Sequence, residues 1–201
     1  MNNVPTAWAA DFAAKHGLHL RFDSPLPNSL SGYKYESPEG PVVVLDSSLP
    51  SERQHFALAH EAAHVLLGHG GEVEEDEEHQ ANQLASELLL PHEEFAPLSH
   101  HSLNELKEFF PHVSYEALAR RRLAYQPGVL TVVDDGDVRY RIASEDFNAP
   151  PTPTAPEWNL IRKAYDLKQE CVLNIEGFLL HATYVATNPA IPRVLLIVEE
   201  G

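Results

Sequence analysis

Two histidines one helical turn apart with a glutamate between them, His60-Glu61-Ala62-Ala63-His64, set the most specific chemistry in this chain. On a helix, residues four apart lie one above the other, so His60 and His64 can offer imidazole nitrogens to one metal ion. Zinc suits such donors, with manganese as the second candidate. Glu61 stands beside the same face, where a carboxylate acts as general base for hydrolysis. A bare HExxH also arises as a pair of solvent-facing histidines on a core helix. Here Arg53-Gln54-His55-Phe56-Ala57-Leu58-Ala59 before it and Val65-Leu66-Leu67 after it form one apolar-patterned helix, with Gly68, Gly70 and Gly71 as stop signals.

A hydrolytic zinc usually takes three protein ligands and leaves one position open. The downstream run Glu72-Val73-Glu74-Glu75-Asp76-Glu77-Glu78-His79-Gln80-Ala81-Asn82 holds the candidates. Most of its acids read as a solvated loop over 72–77. Glu78 differs because Asn82 follows it one turn later, within the apolar stripe Leu84, Ala85, Leu88 and Leu89 of a helix that stops at Pro91. Small Ala81 and Ala85 let this helix approach the first closely. Spacing therefore favours Glu78 as third ligand over Glu77 and His79, with Asn82 hydrogen-bonding the outer nitrogen of a ligand histidine.

The second helix runs Glu78-His79-Gln80-Ala81-Asn82-Gln83-Leu84-Ala85-Ser86-Glu87-Leu88-Leu89-Leu90-Pro91. HExxH followed by E-x-x-A-N-x-x-A-x-E-L-L-x-P resembles the ImmA/IrrE family of metallopeptidases. The lead-in Gly40-Pro41-Val42-Val43-Val44-Leu45-Asp46 is similar to that family's strand, and the likeness spans about residues 30 to 125. The resemblance implies a zincin-like, gluzincin-type zinc peptidase with His60, His64 and Glu78 as metal ligands and Glu61 as catalytic base. It departs at Ala63, where the family often has Gly, and at Ala57, where Thr is common. The implied activity is site-specific cleavage of a helix-turn-helix repressor, often encoded next door. Cleavage would release stress-response or mobile-element genes, with a DNA-damage signal acting through metal supply. The alternative is an anti-repressor that sequesters the repressor without cutting, although a structural metal site has no need of Glu61. A developing oxyanion needs a further donor, and His55, His69, His79 and Tyr33 are all candidates.

Composition narrows the setting. The 201 residues carry 14 Lys+Arg against 30 Asp+Glu, a formal charge of −16. Such a surface repels phosphate backbones and favours a basic protein partner, so direct nucleic-acid binding is not expected. A single cysteine, Cys171, leaves no intramolecular disulfide and fits a reducing cytoplasm. No basic segment leads into an apolar run, and no apolar stretch reaches the roughly 18 residues of a membrane span. Cytoplasmic location without membrane attachment is the expectation.

These motifs need elements to position them, and the pattern predicts an α+β fold. A helix over 4–16 precedes strands near 18–22, 33–35 and 42–45, a small sheet packed on the HExxH helix of 52–67, and the second helix covers 77–90. Together 1–95 form the peptidase core. Residues 96–126 form a helical, helix-turn-helix-like segment with helices at 102–110 and 114–125. Its Arg120-Arg121-Arg122 would suit DNA, but in so acidic a chain a plain packing module is the better reading. From 127 to 201 the pattern turns β-rich, with a hairpin of 129–133 and 138–142 around Asp-Gly, a Pro-rich linker or long extended loop at 147–156, a helix at 157–167, and strands at 177–186 and 193–199.

Overall fold

The structure is a computed structural model that describes residues 5–70, 74–186 and 191–201. Its described residues form a mixed α+β fold with seven α-helices and two sheets, divided into two units. The first unit runs to His92 and takes in His112–Ser114; the second holds Glu93–Pro111 and Tyr115–Gly201. The helical segment expected at 96–126 thus groups with the C-terminal sheet, apart from those three residues.

In the first unit, helix α1 (Ala7–Lys15) is capped by the Thr6 hydroxyl, which accepts from the Ala9 amide at 3.2 Å. It buries Ala9, Phe12 and Ala13. Strands β1 (His19–Asp23), β2 (Gly32–Ser37) and β3 (Gly40–Asp46) form a sheet in the order β1-β3-β2. β3 is central, parallel to β1 and antiparallel to β2, and Val42 to Asp46 are all buried, as an unbroken apolar run on a strand covered on both faces requires. Asp46 closes this strand by accepting from the Ser48 amide and hydroxyl at 2.8 and 2.6 Å and from the Leu26 amide at 3.3 Å. Those bonds hold its carboxyl below the ordinary range.

Helix α2 (Ser51–Leu66) lies on β3 and β2 and buries Ala57, Leu58, Ala59, Ala62 and Ala63. Gly32 lies tight against β3, where a Cβ would sit 3.0 Å from Leu45 Cδ2 and 3.1 Å from the Val44 carbonyl, and it would meet Ala57 of α2 in ordinary contact at 3.5 Å. Helix α3 (Glu75–Leu89) packs on α2 through fully buried Ala81 and Ala85. It starts earlier than the acidic run suggested. Glu74 and Glu77 form a capping box, and Glu75 to Glu78 fill the first turn, where carboxylates favour the exposed amides. Residues 72 and 73 of the expected loop lie outside the described residues.

The single turn α4 (His92–Phe95) enters the second unit from His92 and leads to α5 (Leu103–Phe109), capped by the Ser102–Glu105 box, and α6 (Tyr115–Arg122). Strands β4 (Gly128–Asp134), β5 (Asp137–Ala143), β6 (Cys171–Ile175), β7 (Phe178–Val185) and β8 (Arg193–Glu200) form an antiparallel sheet in the order β5-β4-β8-β7-β6. Asp135 and Gly136 turn the β4–β5 hairpin at φ 49° and 88°, both left-handed, as a tight primed turn requires. Helix α7 (Ala155–Leu167) lays Leu160, Ile161 and Ala164 on Leu180, Ala182, Val194 and Leu196. The segment 147–156 packs Phe147 and Ala149 on this same core, within the second unit.

Of the three arginines only Arg122 is buried, and Arg120, though exposed, is tied to a neighbouring strand. Arg122 is 2% exposed, donates to Glu199 at 2.6 Å and to the His101 carbonyl at 2.9 Å, and Arg120 donates to the Tyr140 hydroxyl at 3.2 Å. Among the described residues no helix is long and apolar enough to cross a membrane.

Candidate metal and catalytic site

Helix periodicity on α2 brings His60 Nε2 and His64 Nε2 to 3.1 Å from each other. Glu78, from the first turn of α3, adds its carboxylate at 3.4 Å from His60 Nε2 and 3.5 Å from His64 Nε2. At metal–ligand bonds of about 2.0–2.1 Å, two corners of a tetrahedron stand about 3.4 Å apart. The three separations match that edge. His60, His64 and Glu78 are also the set of His, Cys and acidic side chains among the described residues whose donor atoms converge for an ion. The donors are two imidazoles and one carboxylate, a set that fits zinc.

Protonation favours the same arrangement. Burial, then the neighbouring His60, lowers the His64 pKa, with Glu78 opposing, so the ring is held neutral with a nitrogen lone pair to offer. Its other nitrogen, Nδ1, lies 3.0 Å from His69 Nδ1. With Nε2 as the donor atom, His64 carries its proton on Nδ1 and gives it to His69.

That contact has a local cause in the way α2 ends. Gly68 takes a left-handed φ of 73°, its amide bonds the Val65 carbonyl at 3.1 Å, and the His69 amide returns to the His64 carbonyl at 3.0 Å. The turn folds residue 69 back over residue 64. Lys34 of β2 then donates to the His69 carbonyl at 2.8 Å, fixing the turn from the sheet side. The sequence signal for His69 was the Gly68 stop; its consequence for the ring of His64 was missed, as was Lys34 altogether.

Glu61 is half-buried one residue along from His60. Burial pushes its carboxyl up to about 7, the Lys34 ammonium opposes this, and Glu78 adds to it. Asn82 does not take its expected place. Its side chain is exposed on α3 and makes no hydrogen bond among the described residues, while the buried His60 Nδ1 has no partner there. The outer nitrogen that is engaged belongs to His64, and its partner is His69.

The four suggested oxyanion donors also sort themselves. His55 is buried, with Nδ1 donating to the His112 carbonyl at 3.0 Å and Nε2 2.7 Å from the Thr6 hydroxyl, and Trp8 packs on both His55 and His112. It is a structural tie of the first unit. His69 serves His64. Tyr33 neighbours Lys34 on an extended strand and therefore points to the opposite face of the sheet. His79 is exposed on α3.

The family model of the IrrE N-terminal-like domain, a peptidase family, matches residues 11–122. A solved Mycobacterium tuberculosis transcriptional regulator is similar over 98% of this chain and 82% of its own, with a TM-score of 0.64 and 15% identity. At that identity the likeness speaks for the fold alone. No curated protein matches the sequence.

Proposed function

Because the chain belongs to the IrrE N-terminal-like peptidase family, we propose that it is a metal-dependent peptidase with a zincin-like core. Its substrate in this reading is a helix-turn-helix transcriptional repressor, whose cleavage turns on stress-response or mobile-element genes. The observation that carries the catalytic part is the triangle of His60 Nε2, His64 Nε2 and Glu78 carboxylate at 3.1, 3.4 and 3.5 Å, with Glu61 adjacent.

In this mechanism His60 and His64 hold the ion through Nε2 and Glu78 through its carboxylate, with His69 keeping the His64 ring in register. A bound zinc, or manganese, supplies Lewis acidity toward the scissile carbonyl and toward water. Glu61 accepts a proton from the attacking water at a carboxylate oxygen. It then delivers that proton to the departing amine nitrogen as the C–N bond breaks. The formal charge of −16 steers a basic partner toward the molecule, which suits a DNA-binding protein as substrate. The solved structural neighbour carries the name of a transcriptional regulator, in keeping with that setting.

The test is a gel assay of the purified, zinc-loaded protein against the helix-turn-helix repressor encoded beside it, with Glu61→Gln as control. One discrete cut, absent with the variant, is the expected result. A folded, metal-loaded protein that leaves the repressor whole overturns the peptidase reading, and a stable uncut complex would assign the anti-repressor role in its place.

A further inference from the structure

The second unit contains a cavity of about 370 Å³ that the peptidase chemistry does not use. Its floor is apolar: Val129, Leu180, Ile175 and Val198 from four strands of the sheet. Its roof is the 147–156 segment, which contributes Phe147, Ala149 and Pro150. A volume of this size lies in the roughly 300–1,000 Å³ range of small-molecule sites.

The gap is held open by a buried ion pair. Arg141 and Glu157, with side chains 6% and 5% exposed, meet at 2.8 Å in the cavity wall. Every arm of the pair is engaged. Arg141 donates through Nη2 to Glu157, through Nη1 to Thr131 Oγ1, and through Nε to the Pro150 carbonyl at 3.0 Å. The other Glu157 oxygen accepts from the Thr154 amide. The roof is therefore pinned at Pro150 and at Thr154. Between and beside those pins, Pro150, Pro151, Pro153 and Pro156 lack the N–H groups that would let the segment zip onto a strand. These bonds fix the path of the loop, whose Phe147 and Ala149 pack on the sheet core beside the cavity. Removing two charges from water is costly, and a buried pair adds little net stability over an apolar substitute, so its evident effect here is the geometry of the roof.

We propose that this cavity is a binding site for an uncharged, mainly apolar small molecule of about two to three rings. Charge is excluded because Arg141 and Glu157 neutralise each other, so an ionised ligand would lose its water without finding a counter-charge. The remaining charged residue of the lining, Glu176, is exposed to solvent. Aromatic character fits the mouth, where Phe147 and Phe178 stand edge to face at 6.1 Å and Phe178 is 40% exposed. Asn148, also in the lining, makes no hydrogen bond among the described residues and offers the ligand one polar edge.

The probe is N-phenyl-1-naphthylamine, an uncharged two-part aromatic whose fluorescence rises and shifts to the blue in apolar surroundings, titrated into the full chain. Saturable binding at one site per chain is expected. Ala149→Trp and Ile175→Trp both fill the cavity from half-buried positions and each weakens binding by about tenfold or more, about 1.4 kcal/mol, with unchanged circular dichroism. Val172→Trp, on an exposed position of β6, leaves binding as it was. Absence of saturable binding by the folded parent overturns the proposal, as does undiminished binding by both folded cavity variants. Equally tight binding of the anionic analogue 1-anilinonaphthalene-8-sulfonate overturns the requirement for an uncharged ligand.

Discussion

Glu61 in the first unit and Glu157 in the second are the same residue type, both removed from bulk water, and the two units treat them in opposite ways. Glu157 gives one oxygen to Arg141 and the other to the Thr154 amide, so neither lacks a partner. Glu61 has no hydrogen-bonded partner among the described residues, and burial raises its carboxyl to about 7. The same contrast extends to their surroundings. His60, His64 and Glu78 turn electron-rich atoms toward one another, an arrangement that a cation resolves, whereas Arg193 places its guanidinium between Asp134 and Glu116 at 2.6–2.8 Å. A compensated buried charge positions backbone. An uncompensated one is left available for proton transfer or for a ligand.

The largest effect expected from breaking this comparison is at Glu61. Glu61→Gln lowers kcat for repressor cleavage by up to about 10⁴-fold, the upper end of what a general base contributes. It leaves the melting temperature unchanged or higher, because the variant removes a charge that has no partner. A fall in stability that accompanies the lost activity would show Glu61 to be a structural residue after all. The opposite outcome belongs to Arg141. Arg141→Met strands the Glu157 carboxylate and lowers the unfolding free energy by about 3–5 kcal/mol in urea titration. The double variant Arg141→Met, Glu157→Leu recovers most of that loss, and a double variant as unstable as the single one would contradict the account.

A smaller change sharpens the first unit. His69→Ala removes the acceptor for His64 Nδ1 without touching a donor atom of the triangle, so zinc affinity falls by about 10–100-fold, as is typical for such supporting partners. Competition with a chromophoric chelator measures it. Asn82→Ala is the companion: it leaves affinity as it was, in line with an exposed side chain that bonds neither ring. A larger loss with Asn82→Ala than with His69→Ala would reverse the assignment of the supporting role.

Why some of this was legible in the sequence follows from the range of the forces involved. His60, His64 and Glu61 are fixed by helix period alone, and Glu78 by the stripe that continues into Ala81 and Ala85; both signals act within a turn or two. The start of α3 was misread because a run of acids looks solvated, whereas beside the free amides of a helix start those same acids are favoured. Strand β6 escaped notice because it is a short edge strand with alternating exposure, and pairing with β7 is what makes it a strand. The tie of His55 to His112 joins residues 57 apart in the chain, which no local pattern announces. The prolines of 147–156 read as a linker or long extended loop and leave its path open, because the side chains that fasten it, Arg141 and Glu157, lie outside it.

The smallest expected effect tests the compensated side of the comparison by titration. Asp134 receives Arg193 Nε at 2.6 Å and Nη2 at 2.8 Å, a two-pronged bond that holds its carboxyl below the ordinary range, against the opposing push of burial. In the unfolded chain the same carboxyl regains an ordinary pKa of about 4. The unfolded state therefore takes up the proton first as pH falls, and the stabilisation, complete above about pH 4, is lost as pH drops through the folded value. Arg193 is partly exposed and screened by solvent, which keeps the effect small. Urea midpoints followed from about pH 6 to pH 3 should fall more steeply for the parent than for Asp134→Asn, whose side chain has no proton to gain in that range. Parallel slopes would mean that the bond to Arg193 is no stronger in the folded unit than water is in the unfolded one. The contrast with Glu61 would then rest on Arg141 and Glu157 alone.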